Sequence, residues 1–380
     1  MEGFKNNNRI TEIDVCKALA VIAMVVCHGG VVLGVYHFIY LFHMPVFMIA
    51  AGCGFKWSHS DSFPTVLRFI GKKILSLWLP YFIWTTLFTF LNNVFLRINI
   101  YTALTDQSHL LTVSFLAKHK YLTFLQMLTK IGKGIWFRNL TELTGTLWFL
   151  QSLFLISCVY CLLTFLLRRF LKEKQVLIIH TVIALLLLAL GFGLHFTQFS
   201  MSNIARSASG YILFHLGYLF VRFQSFFVKR KIWIYGISSV VSFGILLILN
   251  RFGTVMLVSN RYVNPFFLLC ASVFGFGLVY SLSAILCHWK IREFFMIIGR
   301  RTLAILLLHM LAFKIIAAIV VRVYDLPAFY LAANPHLFGE IGAWWVAYTI
   351  VGIGIPVLLD VLYQRLIRNF KYRKFVKSIL

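Results

Sequence analysis

Acidic side chains are scarce in this sequence: 11 Asp and Glu stand against 36 Lys and Arg in 380 residues. Charged residues of either sign make up only 12% of the chain and hydrophobic ones 61%, which excludes a soluble globular protein. Most of the acids fall in or beside polar stretches rather than inside apolar runs, which argues against a carrier driven by membrane-buried carboxylates. The seven cysteines lie in or at the edges of apolar runs and read as small apolar residues. Cys158 and Cys161 have the spacing of a metal pair but no second pair of ligands, so no metal site and no bound cofactor is expected. No small-residue cleavage site follows the first apolar run, and a second run begins at once, so a removed signal peptide is not expected.

What fills the chain is apolar runs long enough to cross a bilayer, at about 20 residues per crossing. They fall near 15–36, 38–57, 72–96, 146–167, 176–196, 208–224, 233–250, 265–288, 302–322 and 341–363. The expected fold is an all-α integral membrane protein of about ten transmembrane helices, a single domain over 1–380. With the N-terminus inside, 25 of the 36 Lys and Arg fall on the cytoplasmic side, so the positive-inside rule places both termini there. The net charge of +25 is then mostly topology and attraction to anionic membrane lipids, and no nucleic-acid partner is needed. The longest external segment, 97–145, carries six basic residues and short amphipathic stretches, and reads as a lid above the bundle.

The chemistry concentrates near the start. Lys17 and His28 are eleven residues apart, about 16 Å along one helix face, so one end can hold an anion while the other handles protons. Asp14 is placed to pair with Lys17, and a turn at Leu33–His37 would bring His43 on the next helix to the depth of His28. Taken alone, Lys17 reads equally as an anchoring lysine at a span end, His28 as a histidine bonded across helices, and His43 as one satisfied by a carbonyl freed near Pro45. Arg68, Lys72 and Lys73 form a basic cluster on the same side as Lys17, which phosphate attraction and ordinary topology explain equally well. Glu142 stands near the outer span ends and would orient a histidine or bind hydroxyls. Trp148 reads as a stacking platform or as part of the aromatic belt. Lys314 lies inside a span without a visible partner.

These residues resemble the membrane-bound acyltransferase 3 family, most closely its fucose 4-O-acetylase-like sugar O-acetyltransferase branch. The resemblance rests on Arg9, Asp14, Lys17 and His28 at the spacing of that branch's opening, and on Phe42-His43-Met44-Pro45. Leu147-Trp148-Phe149-Leu150, Gly299-Arg300-Arg301-Thr302-Leu303 and Leu308-His309 extend it over nearly the whole chain. Ala18, Ala51 and Arg301 depart from the usual glycine, serine and asparagine. The resemblance implies transfer of an acetyl or other short acyl group from cytoplasmic acyl-CoA to a hydroxyl of a sugar or cell-surface polysaccharide precursor, free or lipid-linked, at the cell inner membrane. It implies a donor entrance including Arg68, Lys72, Lys73 and His309; Glu142 and Trp148, beside the external segment, are read from their position as acceptor-side candidates. His28 would be the general base, imidazole being suited to that near neutral pH, or would itself carry the acyl group. Two other classes fit the composition: a transporter or flippase of a lipid-linked sugar, and a non-catalytic subunit of a polysaccharide synthesis complex. No internal repeat marks the first, and a deep His28 has no use in the second.

Overall fold

In the computed structural model, residues 10–103, 113–199, 202–226 and 230–369 are described. Arg9 and the basic tail beyond 369 lie outside the described residues. The chain opens with α1 (Thr11–His28), α2 (Leu33–Tyr40), α3 (His43–Gly52), α4 (Phe63–Lys73) and α5 (Leu79–Arg97). A strand β1 (Val113–Leu116) and helix α6 (Phe124–Ile135) follow, then α7 (Trp148–Leu167), α8 (Glu173–His195), α9 (Asn203–Arg222) and α10 (Ile232–Leu249). The remainder is α11 (Pro265–Leu286), α12 (Arg292–Gly299), α13 (Thr302–Val323), strand β2 (Ala333–Leu337) and α14 (Trp344–Asn369).

Among the described residues, eight helical stretches are long and apolar enough to cross a membrane. Helices α1 and α9, 18 and 20 residues long, are not among them. Both are internal: α1 packs against α3, α11, α12, α13 and α14, and α9 against α3, α7 and α8. Their polar groups face protein rather than lipid, which is where a bilayer tolerates them. Glycine permits the closest crossing. A Cβ on Gly217 would come within 1.9 Å of the Ile49 carbonyl oxygen, and one on Gly52 within 1.9 Å of that of Phe214, so α3 and α9 touch backbone to backbone.

Several boundaries differ from the sequence expectation for local reasons. The first apolar run does not continue to residue 36; α1 stops at His28 because Gly29 and Gly30 follow, Gly30 at φ +84°, and the chain turns at 29–32 rather than at Leu33–His37. Pro45 sits in the first turn of α3, where its missing N–H costs nothing, and the break falls just before it, between α2 and α3. The stretch from Phe63, expected as loop, is helical; Thr65 Oγ1 accepts a bond from the Ser62 N–H at 3.0 Å and Pro64 fits the first turn. Pro80 is accommodated by a π-helical turn over Ile74–Trp78 that joins α4 to α5. The fold is also not wholly helical: β1 and β2 pair antiparallel, linking the segment after α5 to the one after α13. Strands of four and five residues in connecting segments carry no periodicity to read.

A candidate acyl-transfer site between two cavities

The C-terminal end of α1 opens into a cavity of about 590 Å³ lined by His28, Tyr36, His43, Glu142, Trp148 and His336, among others. Behind its wall, His28 Nδ1 lies 3.0 Å from His309 Nε2, with the rings stacked at 5.2 Å and 10° between planes. His309 Nδ1 lies 2.8 Å from the Ile305 carbonyl oxygen, one turn earlier on α13. A carbonyl only accepts, so His309 Nδ1 carries its proton and donates, and His309 Nε2 accepts. His28 Nδ1 is therefore the donor to His309, which leaves the lone pair on His28 Nε2. His309 is fully buried, whereas His28 is half-buried and faces the cavity. His28 can meet a ligand; His309 can only orient His28.

The opposite wall comes from the segment after α13. Lys314 Nζ, buried on α13, donates to the carbonyl oxygens of Leu331 at 3.0 Å and Ala333 at 2.6 Å. Tyr348 Oη on α14 accepts from the Leu337 N–H at 3.1 Å and donates to its carbonyl at 3.0 Å. Strand β2 is thus pinned at both ends, and from it His336 Nδ1 donates to the His28 carbonyl oxygen at 3.1 Å. Burial holds the His336 imidazole below the ordinary histidine range, which keeps it neutral near pH 7. Asn334 is 4% exposed, and its Oδ1 lines the cavity without a hydrogen-bond partner.

A second cavity, of about 330 Å³, lies at the other end of α1 and is lined by Lys17, Lys73, Ser76, Phe47, Phe149 and Thr302, among others. Met24, Met44 and Leu306 line both cavities, so these three side chains form the partition between them. Lys17 is 3.4 Å from Asp14, and Asp14 also faces Arg300 at 3.9 Å. A Cβ on Gly299 would meet the Asp14 carbonyl oxygen at 1.9 Å, so α12 rests directly on the first turn of α1.

The sequence candidates sort by position. Lys17 and His28 do not share one chamber; each lines one of two adjoining chambers. Lys73 joins Lys17, but Arg68 and Lys72 are exposed and line neither cavity, since they project from other faces of α4. His309, expected along the donor route, stands instead behind His28. His43 is 2% exposed and donates from Nδ1 to the Ile39 carbonyl at 3.0 Å while lining the larger cavity. Glu142 stands against a histidine: its carboxylate is 2.5 Å from His119 Nε2, and Asn92 Oδ1 is 2.8 Å from His119 Nδ1. Trp148 lines the cavity, with the Arg206 guanidinium 5.4 Å from its ring centre on α9. His119, Asn334 and His336 were not legible as site residues, because they sit in connecting segments where no helical spacing relates them to His28.

Fold and site together define a polytopic helical membrane protein with a histidine pair in an internal, two-chambered site. An acyltransferase family profile (Acyl_transf_3, acyltransferase domain) matches residues 10–361. The chain belongs to this acyltransferase family. Comparisons with curated proteins and with solved structures gave no significant match.

Proposed function

We propose that this protein is an O-acyltransferase of the cell inner membrane that moves an acetyl or other short acyl group from acyl-CoA to a hydroxyl of a sugar or polysaccharide precursor, free or lipid-linked. The observation that carries the reading is the placement of His28, with its free Nε2 lone pair, in one chamber and the Lys17–Lys73 pair in the next. The ten helices then run with both termini in the cytoplasm, and the lysine-lined chamber opens on that side. The phosphates of the donor rest against Lys17 and Lys73, and its flexible arm carries the thioester past Met24, Met44 and Leu306. The acceptor enters the larger chamber, where Tyr36, Tyr40 and Trp148 offer ring faces and Glu142, Glu340 and Asn334 offer hydrogen-bond acceptors.

The step balances within this chamber. The acceptor oxygen attacks the thioester carbonyl carbon as His28 Nε2 takes its proton; the C–O bond forms, the C–S bond breaks, and the proton passes from His28 to the leaving thiolate. His309, held by the Ile305 carbonyl, keeps His28 in the competent tautomer and steadies the imidazolium. A His28→Ala protein that binds acetyl-CoA as the wild type does, yet transfers nothing, is the expected result; undiminished transfer would rule out His28 as the base.

A further inference from the structure

Beside the chamber around His28 lies a third space, of about 630 Å³, lined by Lys118, His119, Lys120, Lys130, Thr141 and Glu142, among others. Glu142 lines both, so its side chain stands at the threshold between them. It is the only carboxylate lining the outer space among the described residues, and its oxygen is engaged by His119 at 2.5 Å. Lys118, Lys120 and Lys130 line it beside that one carboxylate, so the described lining of the outer space is basic. The cost of this arrangement is visible in the sequence, because six Lys and Arg over 97–138 sit on the face where the positive-inside rule disfavours them. A second cation faces inward: Arg206, 8% exposed, has an unbonded Nε, has no carboxylate within 4.0 Å among the described residues, and lies 5.4 Å from the centre of the Trp148 ring that lines the chamber.

Glu142, engaged by His119, stands between the two spaces; Glu340 lines the reacting chamber and Lys118, Lys120 and Lys130 line the outer one, so an anionic group is favoured among the lysines beyond Glu142. We infer that the acceptor is an anionic glycan, whose phosphate or carboxylate docks among Lys118, Lys120 and Lys130 while a neutral hydroxyl-bearing ring reaches past Glu142 to His28. This rests on the acyltransferase reading and narrows its acceptor. Helix α6 supplies Lys130 and also exposes Phe124, Leu125 and Leu128, so the anion site adjoins a surface suited to the membrane interface. Both a soluble acidic oligosaccharide and the phosphate of a lipid-linked sugar meet these terms.

The test uses the full chain carrying His28→Ala, in phosphatidylcholine nanodiscs at low salt, so that binding is read without turnover. Apparent Kd is measured for maltotriose, for trigalacturonate and for polyprenyl-diphosphate-linked N-acetylglucosamine. At least one anionic probe is expected to bind about tenfold more tightly than maltotriose, and which one does so identifies the source of the charge. Adding Lys118→Gln, Lys120→Gln and Lys130→Gln is expected to erase the preference and leave acetyl-CoA affinity unchanged, which also reports that the protein is folded. If the triple variant does not fold, the single Lys120→Gln and Lys130→Gln variants are expected each to reduce the preference. Equal binding of maltotriose and both anions overturns the inference, as does a preference that survives lysine removal. CoA release by the wild type tests the acyltransferase reading separately: an anion preference without any release would refute that reading and leave the anion site standing.

Discussion

At the scale of single residues, the account turns on which nitrogen of His28 is free. The chain of bonds from the Ile305 carbonyl through His309 fixes that nitrogen as Nε2. His309→Leu removes the acceptor for His28 Nδ1 and is expected to lower kcat about 10²–10⁴-fold with little change in the KM for acetyl-CoA, read in a steady-state assay of CoA release. Lys314 acts at a distance. It donates to two carbonyls that hold β2, and Lys314→Met leaves those buried acceptors unpaired at about 1–3 kcal/mol each. A lower Tm and a raised acceptor KM, with acetyl-CoA affinity retained, are the expected outcome. His28 was legible in the sequence because Lys17 and His28 share a helix and a helix has a fixed period. Its partner His309 lies 281 residues away, and no spacing rule connects two helices that meet only in the folded protein. For the same reason Lys314 had no visible partner: its partners are backbone carbonyls, which every residue carries.

At the scale of elements, the bundle depends on close crossings of internal helices. Gly217→Val would drive a side chain into the Ile49 carbonyl of α3, with no flexible neighbour to yield, whereas a Cβ on Gly193 meets nothing within 4 Å. Purification yield and thermal unfolding are expected to collapse for Gly217→Val and to stay near wild type for Gly193→Ala. The apolar runs located the helices well because residues exposed on the outside of the bundle, such as Ile178, Val182 and Leu186 on α8, must be apolar to face lipid. The sequence signal was weaker where helices are internal. Helix α9 buries Arg206, Ser207, Ser209 and His215 against its neighbours, and the apolar run read near 208–224 begins inside the helix, which starts at Asn203. The pairing of β1 with β2 was not legible, since it joins Phe115 to Asn334 across most of the chain.

At the scale of the whole molecule, the two chambers lie at opposite ends of α1 and, among the described residues, share Met24, Met44 and Leu306 as their common wall. Met side chains are flexible, so this partition can yield to a thin thioester arm while excluding bulkier groups. Met24→Trp is expected to leave acetyl-CoA bound at the Lys17 end and to stop its acyl group from reaching His28. That separation of binding from turnover would be seen as normal acetyl-CoA affinity with little or no CoA release. The most direct measurement is acceptor-dependent release of free CoA from acetyl-CoA by the purified protein in nanodiscs, with a lipid-linked glycan or polysaccharide extract, wild type against His28→Ala. The account predicts release by the wild type that the substitution abolishes while acetyl-CoA binding persists. Equal release by both proteins, or no release and no acetyl-CoA binding by folded wild type, would contradict it.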